Sequence, residues 1–229
     1  MKKHIFFDLD RTLWDFEKNS HETLLELINR FKLSNYGVTN AEAFIYKYKI
    51  HNDILWSLYR EEKITKAELR TKRFRLALEE YQIFDTKLAE NFGNAYVEES
   101  PLKTRLFPFA KEVIEYLYDK YQLHIITNGF QEVQHIKLEV SNISQYFQMI
   151  ITSEQVGNKK PDPRIFNYAL KKAKANNRES IMIGDDLDVD IIGAREFGMD
   201  QVYFNPHKYT HKQELTHEIS CLSQLKEIL

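Results

Sequence analysis

Apolar and polar positions change their rhythm three times along the chain. His4 to Leu9 is a compact apolar run (HIFFDL) that predicts a short buried strand, too brief for a helix. From about Glu17 the spacing becomes helical, with Leu24, Leu27, Ile28 and Phe31 on one face. Thr39 and Glu42 predict a capping-box start for a second helix carrying Phe44, Ile45, Tyr48, Leu55 and Leu58. Thr65 and Glu68 repeat that pattern ahead of Phe74, Ala77, Leu78 and Tyr81. Asp85 is placed to cap a fourth helix with Leu88, Phe92, Ala95 and Tyr96, which must end before Pro101. Positions 17 to 100 therefore read as helices only.

Beyond them, strands and helices alternate. Pro108 is expected as the first residue of a helix reaching about Lys120. Leu123–Thr127, Phe147–Thr152, Ser180–Gly184 and Gln201–Phe204 read as strands. Gln131–Val140, the segment after Asp162-Pro163, and Asp188–Phe197 read as helices between them. Such alternation predicts an α/β fold, a doubly wound, Rossmann-like parallel sheet covered on both faces. The gap between the first strand and the second is far longer than a crossover needs. The excess is expected to be an all-helical cap at 16–104, inserted into a core built from 1–15 and 105–229.

Composition narrows the function classes. The chain has 229 residues, a net charge of −2 and no basic tail, so nothing points to a nucleic acid polymer. The N-terminal apolar run is too short for a membrane span or a signal-peptide core. A single cysteine, Cys221, excludes an intrachain disulfide and fits a reducing compartment, so a cytoplasmic location is expected.

The candidate chemistry sits at the strand ends. Strand one ends in Asp8-x-Asp10-x-Thr12, strand two in Thr127-Asn128-Gly129, and strand four in Gly184-Asp185-Asp186 with Asp188 and Asp190 beyond. Lys159-Lys160-Pro161 follows the third strand after a loop. In a parallel sheet these tips share one edge, where ligands bind. Carboxylates gathered there cannot all stay ionised without a cation, and Mg²⁺ is the hard divalent ion that suits oxygen ligands. Asp8 and Asp10 are expected to point to opposite sides of the strand end.

DLDRT, ITNG, KKPDP and GDDLDVD, in that order, resemble the four motifs of the haloacid dehalogenase superfamily of aspartate-nucleophile phosphohydrolases. IITNGFQEVQHIKLE, SEQVGNKKPDPRIFNYAL and MIGDDLDVDIIGAREFGM, with NDILWSLY in the cap, are similar to its pyrimidine 5′-nucleotidase branch. The resemblance implies Asp8 as nucleophile and Asp10 as general acid and base. It implies Mg²⁺ held by Asp8, the Asp10 backbone carbonyl and Asp185, with Asp186 as the second choice of ligand. Thr127, Asn128 and Lys160 would bind the phosphate, while Thr12 and Asp190 would support the loop, the metal water shell or Lys160. In the cap, Asn52 and Trp56 lie one turn apart, so an indole could stack on a base while an amide reads its edge; cap core is the competing reading for Trp56.

The expected activity is Mg²⁺-dependent hydrolysis of a small phosphomonoester, a nucleoside 5′-monophosphate first, through an aspartyl-phosphate. The expected partner is that small ester alone, with no nucleic acid polymer and no membrane, and a monomer is compatible with it. A phosphoglycolate-type phosphatase and a sugar phosphomutase share the same motifs. A haloacid dehalogenase needs no Asp10. A phospho-aspartate receiver module would carry its phosphorylated Asp on a middle strand, where this chain has Thr127 and Thr152.

Overall fold

The computed structural model describes residues 2–229, which divide into two compact units. One runs to Phe16 and resumes at Thr104; the other is Glu17–Lys103.

The first unit is built on a six-stranded sheet in the order β3-β2-β1-β4-β5-β6. The strands are β1 (His4–Phe7), β2 (Gln122–Thr127), β3 (Phe147–Thr152), β4 (Ser180–Gly184), β5 (Asp200–Phe204) and β6 (His217–Ile219). Every pairing is parallel. A sheet buried on both faces needs apolar residues at odd and even positions alike, and β1 supplies them. Ile5 and Phe7 join Leu123, Ile125 and Ile183 against Val113, Ile114 and Leu117 of α5 (Ala110–Tyr118). Phe6 faces the other way, with Ile126 and Met182, against Ile165, Phe166 and Ala169 of α8 (Pro163–Ala173). Helix α6 (Gln131–Val140) follows β2, and the short α7 (Ser153–Val156) follows β3. The short α9 (Gly193–Glu196) precedes β5, and α10 (Leu225–Ile228) ends the chain.

The sheet order sets where a ligand can enter. β1 is central, with β2 on one side and β4 on the other. The chain thus winds outward one way and then returns past β1 to wind the other way. At such a switch the connecting loops diverge and leave a crevice beyond the carboxyl ends of the strands. The ends of β1 and β4 flank it.

The second unit contains α1 (Phe16–Arg30) from Glu17 onward, with α2 (Ala41–Arg60), α3 (Lys66–Glu79) and α4 (Thr86–Glu99). Its centre is aromatic: Tyr48 stacks on Phe74 at 4.9 Å between ring centroids, and Phe92 and Tyr96 pack against Phe74. Thr65 and Glu68 form the full capping box at the start of α3, and Asp85 accepts from Leu88 N at the start of α4. None of the described helices is long and apolar enough to cross a membrane.

Three local expectations change, and one strand was not foreseen. The cap of α2 is Asn40, whose side chain accepts from Ala43 N at 3.1 Å, and not Thr39, which lies one residue before that cap. Pro108 does not begin α5: Phe109, after it, takes a left-handed φ of 66° and defers the helix to Ala110. The helix expected over 188–197 opens as a wide π-type stretch, Leu187–Ile192, in which Ile191 N reaches back to Asp186 O at 3.3 Å. Finally, β6 has only Ile219 as an apolar residue and no periodicity of its own, so only pairing with β5 defines it.

Candidate active site

Everything at the crevice begins where β1 stops. After Phe7 the chain makes a tight turn in which Leu9 O accepts from Leu13 N at 3.0 Å and Trp14 N at 2.9 Å, while Arg11 adopts φ 67°. Leu9, Leu13 and Trp14 are wholly buried beneath this turn. Residues two apart on a strand share a face. Strand geometry therefore gives no reason for Asp8 and Asp10 to diverge, contrary to the opposed arrangement expected from sequence. The turn is what separates their carboxyls, by ending the extended backbone between them.

Asp8 turns inward. Its Oδ1 accepts from Lys160 Nζ at 2.6 Å, and Asp8 is 7% exposed. Lys160 is 1% exposed and also donates to Ile126 O at 2.7 Å, while its ammonium lies 2.7 Å from Asp190 Oδ1. Asn128 fixes the lysine backbone from both sides, its Oδ1 accepting from Lys160 N at 2.8 Å and its Nδ2 donating to Lys160 O at 2.9 Å. Burial lowers the tendency of Lys160 to stay charged, but Asp190 and Asp8 outweigh it and hold the ammonium above the ordinary lysine range.

The acidic residues from β4 complete the cluster. Asp185 Oδ1 accepts from the buried Thr12 hydroxyl at 2.9 Å. Asp190 approaches Gly184 closely, and its Oδ2 accepts from Asp186 N at 3.2 Å. Oxygen atoms of Asp8, Asp185 and Asp190 all lie within 4.8 Å of one another. Burial raises the pKa of all three carboxyls, that of Asp8 to about 7 against the opposing pull of Lys160; Asp190 adds to the rise at Asp8, Asp8 and Asp190 at Asp185, and Asp186 at Asp190. Lys160 pairs with Asp8 and Asp190 and Arg11 acts on the half-buried Asp185, so two cations face three carboxylates. The donor set is hard oxygen with an excess of negative charge, which fits a divalent cation of the Mg²⁺ kind.

The remaining expected residues divide. Asp186 accepts from Asp188 N at 3.2 Å and Val189 N at 3.0 Å, so its carboxylate caps the turn after β4 and lies outside the cluster; Asp188 is exposed. The Thr127 hydroxyl is buried and accepts from Gly129 N at 3.0 Å. In the helical unit, Asn52 is buried and its Oδ1 accepts from Arg73 Nη1 at 2.9 Å, while Trp56 is half-buried with its ring against Tyr59.

Asp10 meets two residues that sequence reasoning missed. Gln134 Nε2 donates to its Oδ2 at 3.0 Å, and Lys137 Nζ donates to its Oδ1. Both side chains come from α6 and both are buried. The signal was present but unreadable alone: Val133, Ile136 and Val140 offer α6 an apolar stripe, yet the face turned inward is Gln134, Lys137 and Leu138.

Known proteins carry the same plan. The family model described as haloacid dehalogenase-like hydrolase matches residues 5–204. The chain is 32% identical over 228 residues to the pyrimidine 5′-nucleotidase YjjG of Escherichia coli (strain K12), covering 98% of this chain and 96% of that one. It is 29% identical to the pyrimidine 5′-nucleotidase PynA of Streptococcus pneumoniae, over 99% of this chain and 94% of that one. The crystal structure of Bacillus subtilis YfnB bound to magnesium superposes with a TM-score of 0.89 at 28% identity, covering 99% of this chain and 98% of that one. With a six-stranded parallel sheet, a switch-point crevice lined by Asp8, Lys160 and Asp185, and a family match running from β1 to β5, this chain belongs to the haloacid dehalogenase-like hydrolases.

Proposed function

We propose that the protein is a Mg²⁺-dependent phosphatase of small phosphomonoesters, with nucleoside 5′-monophosphates as its substrate class. The observation that carries this reading is Asp8 held against the buried Lys160 within a cluster of three carboxylates. The names of the relatives YjjG and PynA support the nucleotide preference.

Asp8 Oδ attacks the phosphorus while the bond from phosphorus to the leaving oxygen breaks, giving an aspartyl-phosphate. Asp10 gives its proton to the departing oxygen, which leaves as the alcohol. The resulting Asp10 carboxylate then takes a proton from water, whose oxygen attacks the same phosphorus and frees Asp8 and inorganic phosphate. Asp8, Asp185 and the Asp10 backbone carbonyl would hold the Mg²⁺, which supplies charge neutralisation between the anionic nucleophile and the anionic ester. Lys160 offsets charge on the transferring group and favours the ionised form of Asp8, with Asp190 holding the ammonium in line. The Asn128 backbone amide binds a phosphate oxygen, the Thr127 hydroxyl turns from Gln134 to reach another, and Thr12 orients Asp185.

The experiment is a panel of nucleoside 5′-monophosphates, sugar phosphates and an aryl phosphate, assayed with Mg²⁺ and with chelator. Expected are turnover that requires the metal, a preference for nucleotides, and a loss of at least ~10³-fold in Asp8→Asn, since removing a nucleophile leaves only binding and electrostatic catalysis. Undiminished turnover by Asp8→Asn overturns the mechanism, and a sugar phosphate preferred over every nucleotide overturns the substrate class.

A further inference from the structure

Asp10 is not left to itself at the crevice. The two donors that reach its carboxyl come from one helix, three residues apart, and each takes a different oxygen. Lys137 is 4% exposed and Gln134 is 1% exposed. An ammonium buried to that degree is costly unless it is paired. A helix that needed only to pack against the turn would be served better by an apolar residue.

The Lys137 ammonium is held by the same turn twice. Its Nζ lies 4.1 Å from the centre of the Trp14 ring while it donates to Asp10. Trp14 is wholly buried and tied to the turn, with Arg11 N donating to Trp14 O at 2.9 Å. A cation seated on an indole face has little freedom to wander. Lys137 therefore presents its donor to Asp10 from a fixed point.

Gln134 connects Asp10 to the loop after β2. Its Nε2 donates to Asp10 and its Oε1 accepts from the Thr127 hydroxyl at 3.4 Å. That loop is cut away to admit it: a Cβ on Gly129 would lie 2.0 Å from Gln134 Nε2. Glycine at 129 is thus required by the passage of the glutamine amide.

The geometry points to Gln134 and Lys137 as positioning residues for acid–base chemistry at Asp10, a role that rests on the reading of Asp10 given above. Each fixes one carboxyl oxygen, and together they select one rotamer of Asp10 and aim it at the leaving oxygen. Both act through the Asp10 carboxyl, which alone exchanges the proton with the substrate. Their contribution is orientation, and small losses of orientation are expensive in rate.

The test is the dependence on leaving group. An alkyl phosphate such as a nucleoside 5′-monophosphate expels a poor leaving group that needs a proton; 4-nitrophenyl phosphate does not. Comparing kcat/KM isolates the events up to release of the alcohol. Lys137→Met keeps the stem over Trp14 but removes the donor. It is expected to lower kcat/KM for the nucleotide by about 10- to 100-fold, part of the usual effect of acid catalysis, and for the aryl phosphate by less than about 3-fold. Lys137→Arg, which restores a donor, is expected to recover most of the loss. Gln134→Leu leaves the buried lysine in place and is expected to discriminate the same way, so the test does not depend on Lys137→Met folding. Equal losses on both substrates, or no loss in either variant, overturn the proposal. Asp8→Asn is run alongside: if it remains active, the nucleophile assignment has failed instead.

Discussion

Gly184 and Asp190 are in contact so close that a methyl group on Gly184 would sit 2.4 Å from Asp190 Oδ2. The glycine ends β4, and the aspartate comes back over it from the π-type stretch that follows. Only hydrogen at that position lets the carboxylate reach Lys160. Gly184→Ala is therefore expected to push Asp190 off the ammonium. Overpacking of this kind typically costs about 1–3 kcal/mol, and turnover should fall together with the melting temperature. Denaturant unfolding and a steady-state assay check it, and wild-type values for both would show that Asp190 can move aside freely.

The acidic cluster predicts opposite effects of one substitution in the presence and absence of metal. Asp185→Asn removes a half-buried carboxylate that Asp8 and Asp190 repel. With chelator the variant should be as stable as the parent or more so. With Mg²⁺ the parent should gain about 3 kcal/mol at a hundredfold excess over Kd, and the variant little of that. Thermal melts with Mg²⁺ and with EDTA measure both arms. An equal Mg²⁺ gain in parent and variant would remove Asp185 from the cation site.

A pH effect should arise away from the site, where β2 pairs with β1. His124 is wholly buried, stacks on Phe6, and lies 3.1 Å from His4 through facing ring nitrogens. Burial, and secondarily His4, lower its pKa to about 4 from an ordinary 6.5. The folded state thus resists a proton that the unfolded state accepts. The stabilisation is complete above pH 6.5 and is lost as pH falls toward 4, in total about 3 kcal/mol at ~1.4 kcal/mol per pKa unit. Urea titrations between pH 4 and 7.5 on the parent and His124→Gln, at saturating Mg²⁺, should show a steeper acid-side decline in the parent. Parallel profiles would mean that His124 takes up its proton as readily in the fold as in the unfolded chain.

The capping box at Thr65 and Glu68 is complete, with Thr65 Oγ1 accepting from Glu68 N at 3.2 Å and Glu68 Oε2 from Thr65 N at 2.8 Å. Thr65→Ala should cost about 1 kcal/mol of stability and leave kcat unchanged. A large loss of activity at constant stability would give Thr65 a role beyond the cap.

The linear sequence was sufficient wherever a residue's duty depends on near neighbours. Binary patterning located β1 to β5 and the helices between them, because strand and helix periods differ and a doubly covered sheet must be apolar throughout. Strand-end position brought Asp8, Asp10 and the acidic run 185–190 to one edge, because a parallel sheet delivers all its carboxyl ends there, while the choice of Asp185 and Lys160 among their neighbours came from the family resemblance. What tertiary structure alone decided concerns partners far apart in the chain. β6 exists only as a neighbour of β5. Asp8 and Asp10 part company because a turn interrupts the strand, which residue spacing could not reveal. Gln134 and Lys137 look like ordinary solvated helix residues until α6 turns them inward, more than a hundred positions from the aspartate they hold. A buried polar contact is specified by the three-dimensional meeting of two groups that must satisfy each other, and no local pattern in either segment records where its partner will come from.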